Sequence, residues 1–126
     1  MTIGEVLERY AKAWESGDVA GIVASYHDDL VLHWYGENPL AGEHRGKAAA
    51  LAALGELARL ASRKLVAMDD LLVGAKRGAL LVRERFERGG RMLEIPRVLV
   101  FRVQDDRIAE CWAYDRDARE LDALLA

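Results

Sequence analysis

Apolar residues recur at helical spacing in the first third of the chain and at alternate positions in the last half, which predicts helices followed by long strands. Ile3, Leu7, Tyr10 and Trp14 form one stripe of a first helix. Thr2 and Glu5 stand at capping-box spacing before it, and Gly17 supplies a left-handed stop. Asp18 caps a second, short helix with Val19, Ile22, Val23 and Tyr26 on its buried face. His27-Asp28-Asp29 reads as a turn, Leu30 to Tyr35 as a strand, and Gly36 to Gly46 as an ordered loop. Lys47 to Ser62, rich in Ala and Leu, reads as a third helix with Leu51, Leu54, Leu57 or Ala58, and Ala61 inward. Leu65–Val73, Ala79–Arg88, Arg91–Gln104 and Arg107–Tyr114 read as strands. Asp117 and Glu120 then cap a last helix that carries Leu121, Leu124 and Leu125. The expected class is α+β, one domain over residues 1–126, with no repeat and no linker.

Two turns set the strand register. Gly89-Gly90 is a two-residue hairpin signal, because both positions tolerate positive φ. It pairs Arg88 with Arg91, Phe86 with Leu93, Glu84 with Ile95 and Val82 with Arg97. One face then carries Val82, Glu84, Phe86, Leu93, Ile95, Arg97 and Leu99. It is apolar except for Glu84 and Arg97, which sit diagonally about 7–8 Å apart at the backbone, within reach of long side chains. An Asp105-Asp106 turn pairs Val103 with Ile108, Phe101 with Glu110, Leu99 with Trp112 and Arg97 with Tyr114. That register puts Trp112 and Tyr114 beside Arg97, and a β-bulge would overturn it. The opposite face would carry Val98, Val100, Ala109, Cys111 and Ala113. An outer sheet face normally turns polar residues to water. A homodimer packing through Val98, Val100, Cys111 and Ala113 is the simplest cover for this one.

Composition narrows the function classes. The 126 residues carry a formal charge of −3, and Lys and Arg are scattered without a basic stripe, so nucleic acid is not an expected partner. Cys111 is the single cysteine, so no internal disulfide forms and a cytoplasmic setting is expected. No run of about 18 apolar residues predicts a membrane span, and the first residues lack a signal-peptide pattern. There is no phosphate loop, dinucleotide fingerprint or nucleophile elbow, and the histidines with Asp28 and Asp29 match no metal-ligand spacing. No cofactor and no metal are expected.

Several segments together resemble the SnoaL-like branch of the nuclear-transport-factor-2-like superfamily. They are Tyr26-His27-Asp28-Asp29 leading into Val31-Leu32-His33, then Asn38-Pro39-Leu40-Ala41-Gly42 with Arg45-Gly46-Lys47. Asp106-Arg107-Ile108-Ala109-Glu110-Cys111-Trp112 followed by Tyr114-Asp115 completes the set. The resemblance implies a cone-shaped α+β barrel with helices packed on the concave face of a curved, mostly antiparallel sheet, enclosing a pocket. Such families include polyketide cyclases, ketosteroid isomerases, epoxide hydrolases, dehydratases and members without catalysis, so fold alone does not give function. Two departures stand out. The epoxide hydrolases carry an Asp two positions after their Arg, whereas Leu99 follows Arg97 here. The cyclases use an acid near the last strand, a role Asp115 matches, although the register above places it off the concave face.

Glu84 on an apolar face is either half of a structural ion pair with Arg97 or a pocket acid or base tuned by burial. His33 is a core or rim histidine, or a base that titrates near neutrality. The catalytic candidates are His33, Glu84, Arg97 and Asp115. The residues expected to line a pocket are Trp14, Tyr26, Tyr35, Phe86, Ile95, Leu99, Trp112 and Tyr114. The expected activity is cofactor-free acid–base chemistry on a small hydrophobic carbonyl compound, of isomerase, cyclase or dehydratase type. In that scheme Arg97 and Tyr114 steady an oxyanion. The alternatives are a non-catalytic pocket for a hydrophobic ligand, a dimerisation domain, or an epoxide hydrolase.

Overall fold

Thr2 starts the first helix as its spacing with Glu5 predicts: its hydroxyl accepts the Glu5 N–H at 3.1 Å and the Glu5 carboxylate accepts the Thr2 N–H at 3.0 Å. In the computed structural model, which describes residues 1–126, this helix is α1 (Ile3–Ser16) and ends on Gly17 at φ 69°. Asp18 caps α2 (Val19–Ala24). The strand β1 (Tyr26–Trp34) begins earlier than the sequence suggests and absorbs the expected turn at His27–Asp29. The expected loop contains a short strand, β2 (Gly42–Arg45), antiparallel to β1. Then follow α3 (Lys47–Leu60), β3 (Ser62–Val73), β4 (Gly78–Arg88), β5 (Arg91–Gln104), β6 (Arg107–Asp115) and α4 (Ala118–Leu125). No helix is long and apolar enough to cross a membrane.

The six strands form one curved, unclosed sheet in the order β2-β1-β6-β5-β4-β3. Only β1 and β6 run parallel; every other pair is antiparallel. On the concave side α1 lies over β3 and β4, α3 over β1 and β2, and α4 over β4 and β5. The core sits between them, with Leu7, Leu57, Phe86, Phe101, Ile108, Leu121 and Leu125 essentially inaccessible. The chain therefore has the α+β architecture that the sequence predicts.

Gly89 and Gly90 take φ of 57° and 77°, and the hairpin has the predicted register, with Glu84 opposite Ile95 and Val82 opposite Arg97. Asp105 and Asp106 also turn at positive φ, and Val103 faces Ile108 as expected. Beyond that point the second register is corrected. The ladder shifts by one residue, so Arg102 pairs with Glu110, Phe101 with Cys111, Leu99 with Ala113 and Arg97 with Asp115. Ala109 is the extra residue of a β-bulge. The physical reason lies in Glu110. Unshifted, its carboxylate would enter the apolar core opposite Phe101; shifted, it faces outward and meets the Arg102 Nε at 3.1 Å.

Every later side chain of β6 changes sides as a result. Trp112 and Tyr114 face outward, and Cys111, Ala113 and Asp115 face inward. The expected dimer patch is corrected too: Val98 and Val100 remain on the outer face, but Cys111 and Ala113 belong to the interior. The outer face has aromatic residues in their place. Tyr35 stacks on Tyr114 with ring centroids 5.3 Å apart, and both are exposed.

Candidate functional site

Glu84 is the least exposed charged residue, at 0%. β4 aims it inward between Val82 and Phe86, and β5 aims Arg97 at it from the neighbouring strand. The Arg97 Nη1 donates to the Glu84 Oε2 at 2.9 Å. Because of the bulge, Asp115 lies directly across from Arg97, whose Nε and Nη2 donate to its two carboxylate oxygens at 2.6 and 3.4 Å. A second guanidinium, Arg63 near the start of β3, donates to both oxygens of Glu84. The result is a chain of alternating charge, Arg63–Glu84–Arg97–Asp115, whose formal charges cancel. Aromatic faces bracket it. The Arg97 guanidinium lies 4.8 Å from the Trp34 ring centre, and that of Arg63 lies 5.3 Å from Trp14. Phe86 sits beneath both, 5.7 Å from Arg97 and 5.9 Å from Arg63.

The electrostatics follow from this packing. Burial acts most strongly on Glu84 and works against its charge. Arg63 and Arg97 together outweigh it and hold the carboxyl below its ordinary value of 4.5. Burial likewise opposes the charge on Arg63, and Glu84 more than compensates, so Arg63 stays firmly protonated. Burial pushes the Cys111 thiol up to about 12, which leaves it un-ionised and a poor nucleophile near neutral pH. Tyr26 is also pushed up to about 12 by burial. Its hydroxyl lies 2.8 Å from that of Tyr10.

These groups surround an internal cavity of about 40 Å³. Leu30, Leu32, Trp34, Leu54, Leu99 and Ala113 form its apolar wall. Its polar lining is Arg63, Arg97, Tyr10, Tyr26 and Cys111, all of them able to donate hydrogen bonds, and no carboxylate is among them. Glu84 and Asp115 stand behind the guanidiniums. The space holds only a few waters. A second, outer groove of about 300 Å³ reaches Arg97 and Asp115 from the other side, between Leu81, Pro96, Val98 and Tyr114. The largest surface groove, about 480 Å³ between α1 and α2, touches none of the ionic chain. Its buried hydroxyl, that of Ser25, is already committed to the Gly21 carbonyl at 2.8 Å.

The structure brings most of the predicted residues together and separates the rest. Tyr26, Arg97 and Leu99 line the cavity. Glu84 and Asp115 bind Arg97, Phe86 and Trp14 pack against the guanidiniums, and Ile95 is buried opposite Glu84. His33, Tyr35, Trp112 and Tyr114 are corrected: all four lie on the outer face. There the His33 ring stacks on Trp112 at 5.2 Å, and its Nε2 lies 2.6 Å from Glu110. The other two histidines are elsewhere, His27 beside Asp105 and His44 beside the Leu40 carbonyl. Sequence reasoning missed Arg63, Tyr10 and Trp34. Arg63 carried a legible signal, since it lies one residue past the end of the third predicted helix and pairs across from Phe86 once β3 is extended to Ser62.

Comparison with known proteins places this geometry in context. A protein of unknown function with a cystatin-like fold from Xanthomonas campestris matches with a TM-score of 0.92 at 23% identity, over 100% of this chain and 99% of its own. Bal32a, from a soil-derived mobile gene cassette, matches with a TM-score of 0.87 at 24% identity, over 97% and 95%. An LEH-like epoxide hydrolase from M. tuberculosis matches with a TM-score of 0.70 at 19% identity, over 98% and 88%. At these identities the likeness establishes the fold. No curated protein sequence matches significantly. Residues 7–111 match the SnoaL-like domain, most of the chain, and the protein therefore belongs to the SnoaL-like family.

Proposed function

We propose that the protein is a cofactor-free acid–base enzyme acting on a small, largely apolar carbonyl compound bound in the inner cavity. The observation that carries this is the buried chain Arg63–Glu84–Arg97–Asp115 set against an apolar cavity lined only by donors. Charge that develops on a carbonyl oxygen would meet Arg63 and Arg97 already oriented by their carboxylates, which is the usual source of the largest rate term. The base role falls to Asp115, which is held by one guanidinium where Glu84 is held by two, and which a substrate in the cavity meets only past the Arg97 side chain. Isomerisation, cyclisation and dehydration all begin with such a proton abstraction. Tyr114, facing outward, has no part in it.

The test needs no prior substrate. A panel of cyclic enones and aryl ketones is incubated with the protein in D₂O, and loss of the α-proton signals is followed by NMR. Exchange above the buffer rate that disappears in Asp115→Asn supports the assignment. Absence of exchange across the panel favours the second reading, a non-catalytic ligand pocket, for which the small cavity and fully paired carboxylates argue. Diol formation from cyclic epoxides would instead assign water addition, with Asp115 activating water and Glu84 on the far side of Arg97.

A second copy of the chain is the proposed partner. Val98, Val100, Trp112, Tyr114 and Tyr35 make an apolar outer face on a sheet whose other face is already covered by helices. Arg83, Arg85, Glu94, Arg102 and Glu110 surround it with both signs of charge, which suits pairing with itself.

A further inference from the structure

We propose that the cavity's ligand carries a carboxylate, that Arg63 turns from Glu84 to hold it, and that Glu84 takes up one proton as the ligand binds. The proposal rests on the cavity being the ligand site, as above, and adds the ligand's charge class and the step that admits it.

Three observations lead to it. The first is the chemistry of the lining. Arg63, Arg97 and the hydroxyls of Tyr10 and Tyr26 offer donors and no acceptor carboxylate. An ammonium group would find two like charges there, and a hydrocarbon would make no use of the guanidiniums and hydroxyls that face it. A carboxylate complements all of them, and Arg holds it with two parallel bonds.

The second is space. About 40 Å³ does not admit a molecule the size of benzoate, so a wall has to yield. Arg97 is fixed, with its side chain 1% exposed and bonded to two carboxylates. Arg63 is the exception among the charged groups: its side chain is 26% exposed, and Glu84 is its only carboxylate partner. Its remaining neighbours are the ring faces of Trp14 and Phe86, along which a guanidinium can slide.

The third is charge. The site itself holds two guanidiniums and two carboxylates. A third carboxylate entering the same dry space leaves one negative charge without a partner, which burial penalises heavily. Glu84 is where the imbalance falls, because it loses Arg63 to the ligand and keeps only Arg97. Asp115, beyond Arg97, retains both of its bonds. The other groups facing Glu84, Tyr26 from β1, Cys111 from β6 and Tyr10 from α1, are neutral. The proton comes from solvent, and the balance is ligand carboxylate plus Glu84 carboxylate plus one proton giving bound carboxylate and Glu84 carboxylic acid. A protonated Glu84 then stands across Arg97 from the Asp115 carboxyl group, so that two carboxyls in different surroundings share one site.

Benzoate is the probe and benzyl alcohol its neutral control. Calorimetry at pH 7 in PIPES and in Tris, whose ionisation enthalpies differ, reads the protons taken up. The expected result is about one proton per benzoate, with affinity rising about tenfold for each unit of pH lowered through the neutral range. Benzyl alcohol takes up none. In Glu84→Gln, benzoate still binds and its affinity no longer depends on pH. In Arg63→Gln, affinity falls at least about tenfold and Arg63→Lys restores part of it. Absence of benzoate binding at millimolar concentration, or wild-type binding without proton uptake, overturns the proposal without need of any variant. A pH response that persists in Glu84→Gln also overturns it. Benzoate binding with proton uptake but no α-proton exchange leaves this inference standing and removes the enzyme assignment. Asp115-dependent exchange without benzoate binding does the reverse.

Discussion

Replacing Glu84 by Gln keeps the shape of the side chain and removes the one anion that Arg63 and Arg97 share. At 0% exposure no water enters to compensate. Two guanidiniums would then face a single carboxylate, Asp115. Breaking a buried ion pair from one side costs about 3–5 kcal/mol, and the Gln carbonyl, still able to accept one bond, places this variant near the lower end. For 126 residues the entropy of unfolding is about 0.26 kcal/mol/K, so the melting temperature should fall by about 11 °C or somewhat more. The informative comparison is with Arg63→Met/Glu84→Gln. That pair removes the excess cation together with the anion and leaves Arg97 balanced by Asp115. The double variant should therefore melt higher than Glu84→Gln alone, although it carries one more substitution. pH gives a second handle. The Glu84 carboxyl is held below its ordinary 4.5 in the folded protein. Its stabilising contribution is complete above that value and is lost as pH falls below it toward the folded value. Wild type and Glu84→Gln should thus differ most at pH 7 and differ less at pH 3. Circular dichroism melts of wild type, Glu84→Gln, Arg63→Met and the double variant at both pH values decide the matter. If the double variant is destabilised by the sum of its two single effects, the four groups do not behave as one charge-balanced unit.

Three further outcomes are expected. Cys111, 9% exposed and with its thiol pushed up to about 12, should resist iodoacetamide at pH 8 in the native protein and react on unfolding in urea, as read by mass spectrometry. Asp106→Gly should raise stability in urea titration, because relief of the about 1–2 kcal/mol cost of left-handed φ outweighs loss of the exposed pair with the Met1 ammonium. Tyr114→Glu places a charge in the outer aromatic face. Light scattering should show twice the chain mass for wild type and the single-chain mass for the variant, with α-helical content unchanged.

Much of the fold was legible because local chemistry and global packing agree. The Thr2–Glu5 box, the Gly17 stop and the Gly89-Gly90 corner each act within a few residues, and each appears as the spacing predicts. Glu84 and Arg97 were found on one face because a single turn of fixed geometry separates them. The second hairpin was half legible. Its turn is where Asp105-Asp106 predicts, but the bulge at Ala109 depends on where Glu110 finds a cation, a tertiary matter that turn chemistry does not encode. The cost of burying Glu110 opposite Phe101 was nevertheless visible in the sequence and argued against the unshifted ladder. From that one residue follow the wrong sides assigned to Cys111, Trp112, Ala113 and Tyr114, and the placing of Asp115 off the concave face. Arg63 was hidden differently. Ala- and Leu-rich sequence carried the predicted helix through Ser62, whereas the helix ends at Leu60 and the chain is already a strand where Arg63 turns toward Glu84.

The parallel seam between β1 and β6 joins residues near 31–34 to residues near 110–113, and it lies inside the sheet instead of at its rim. Two neighbouring inner strands of the sheet thus come from distant stretches of sequence. During synthesis β1 lacks its parallel neighbour until residues 110–113 have left the ribosome, while the β3–β4–β5 meander can zip as it appears. The loop to be closed is long, and slow, topology-limited refolding is the consequence. Asp115, the last residue of β6, reaches Arg97 only when β6 pairs with β5, so the ionic chain forms no earlier than that hairpin.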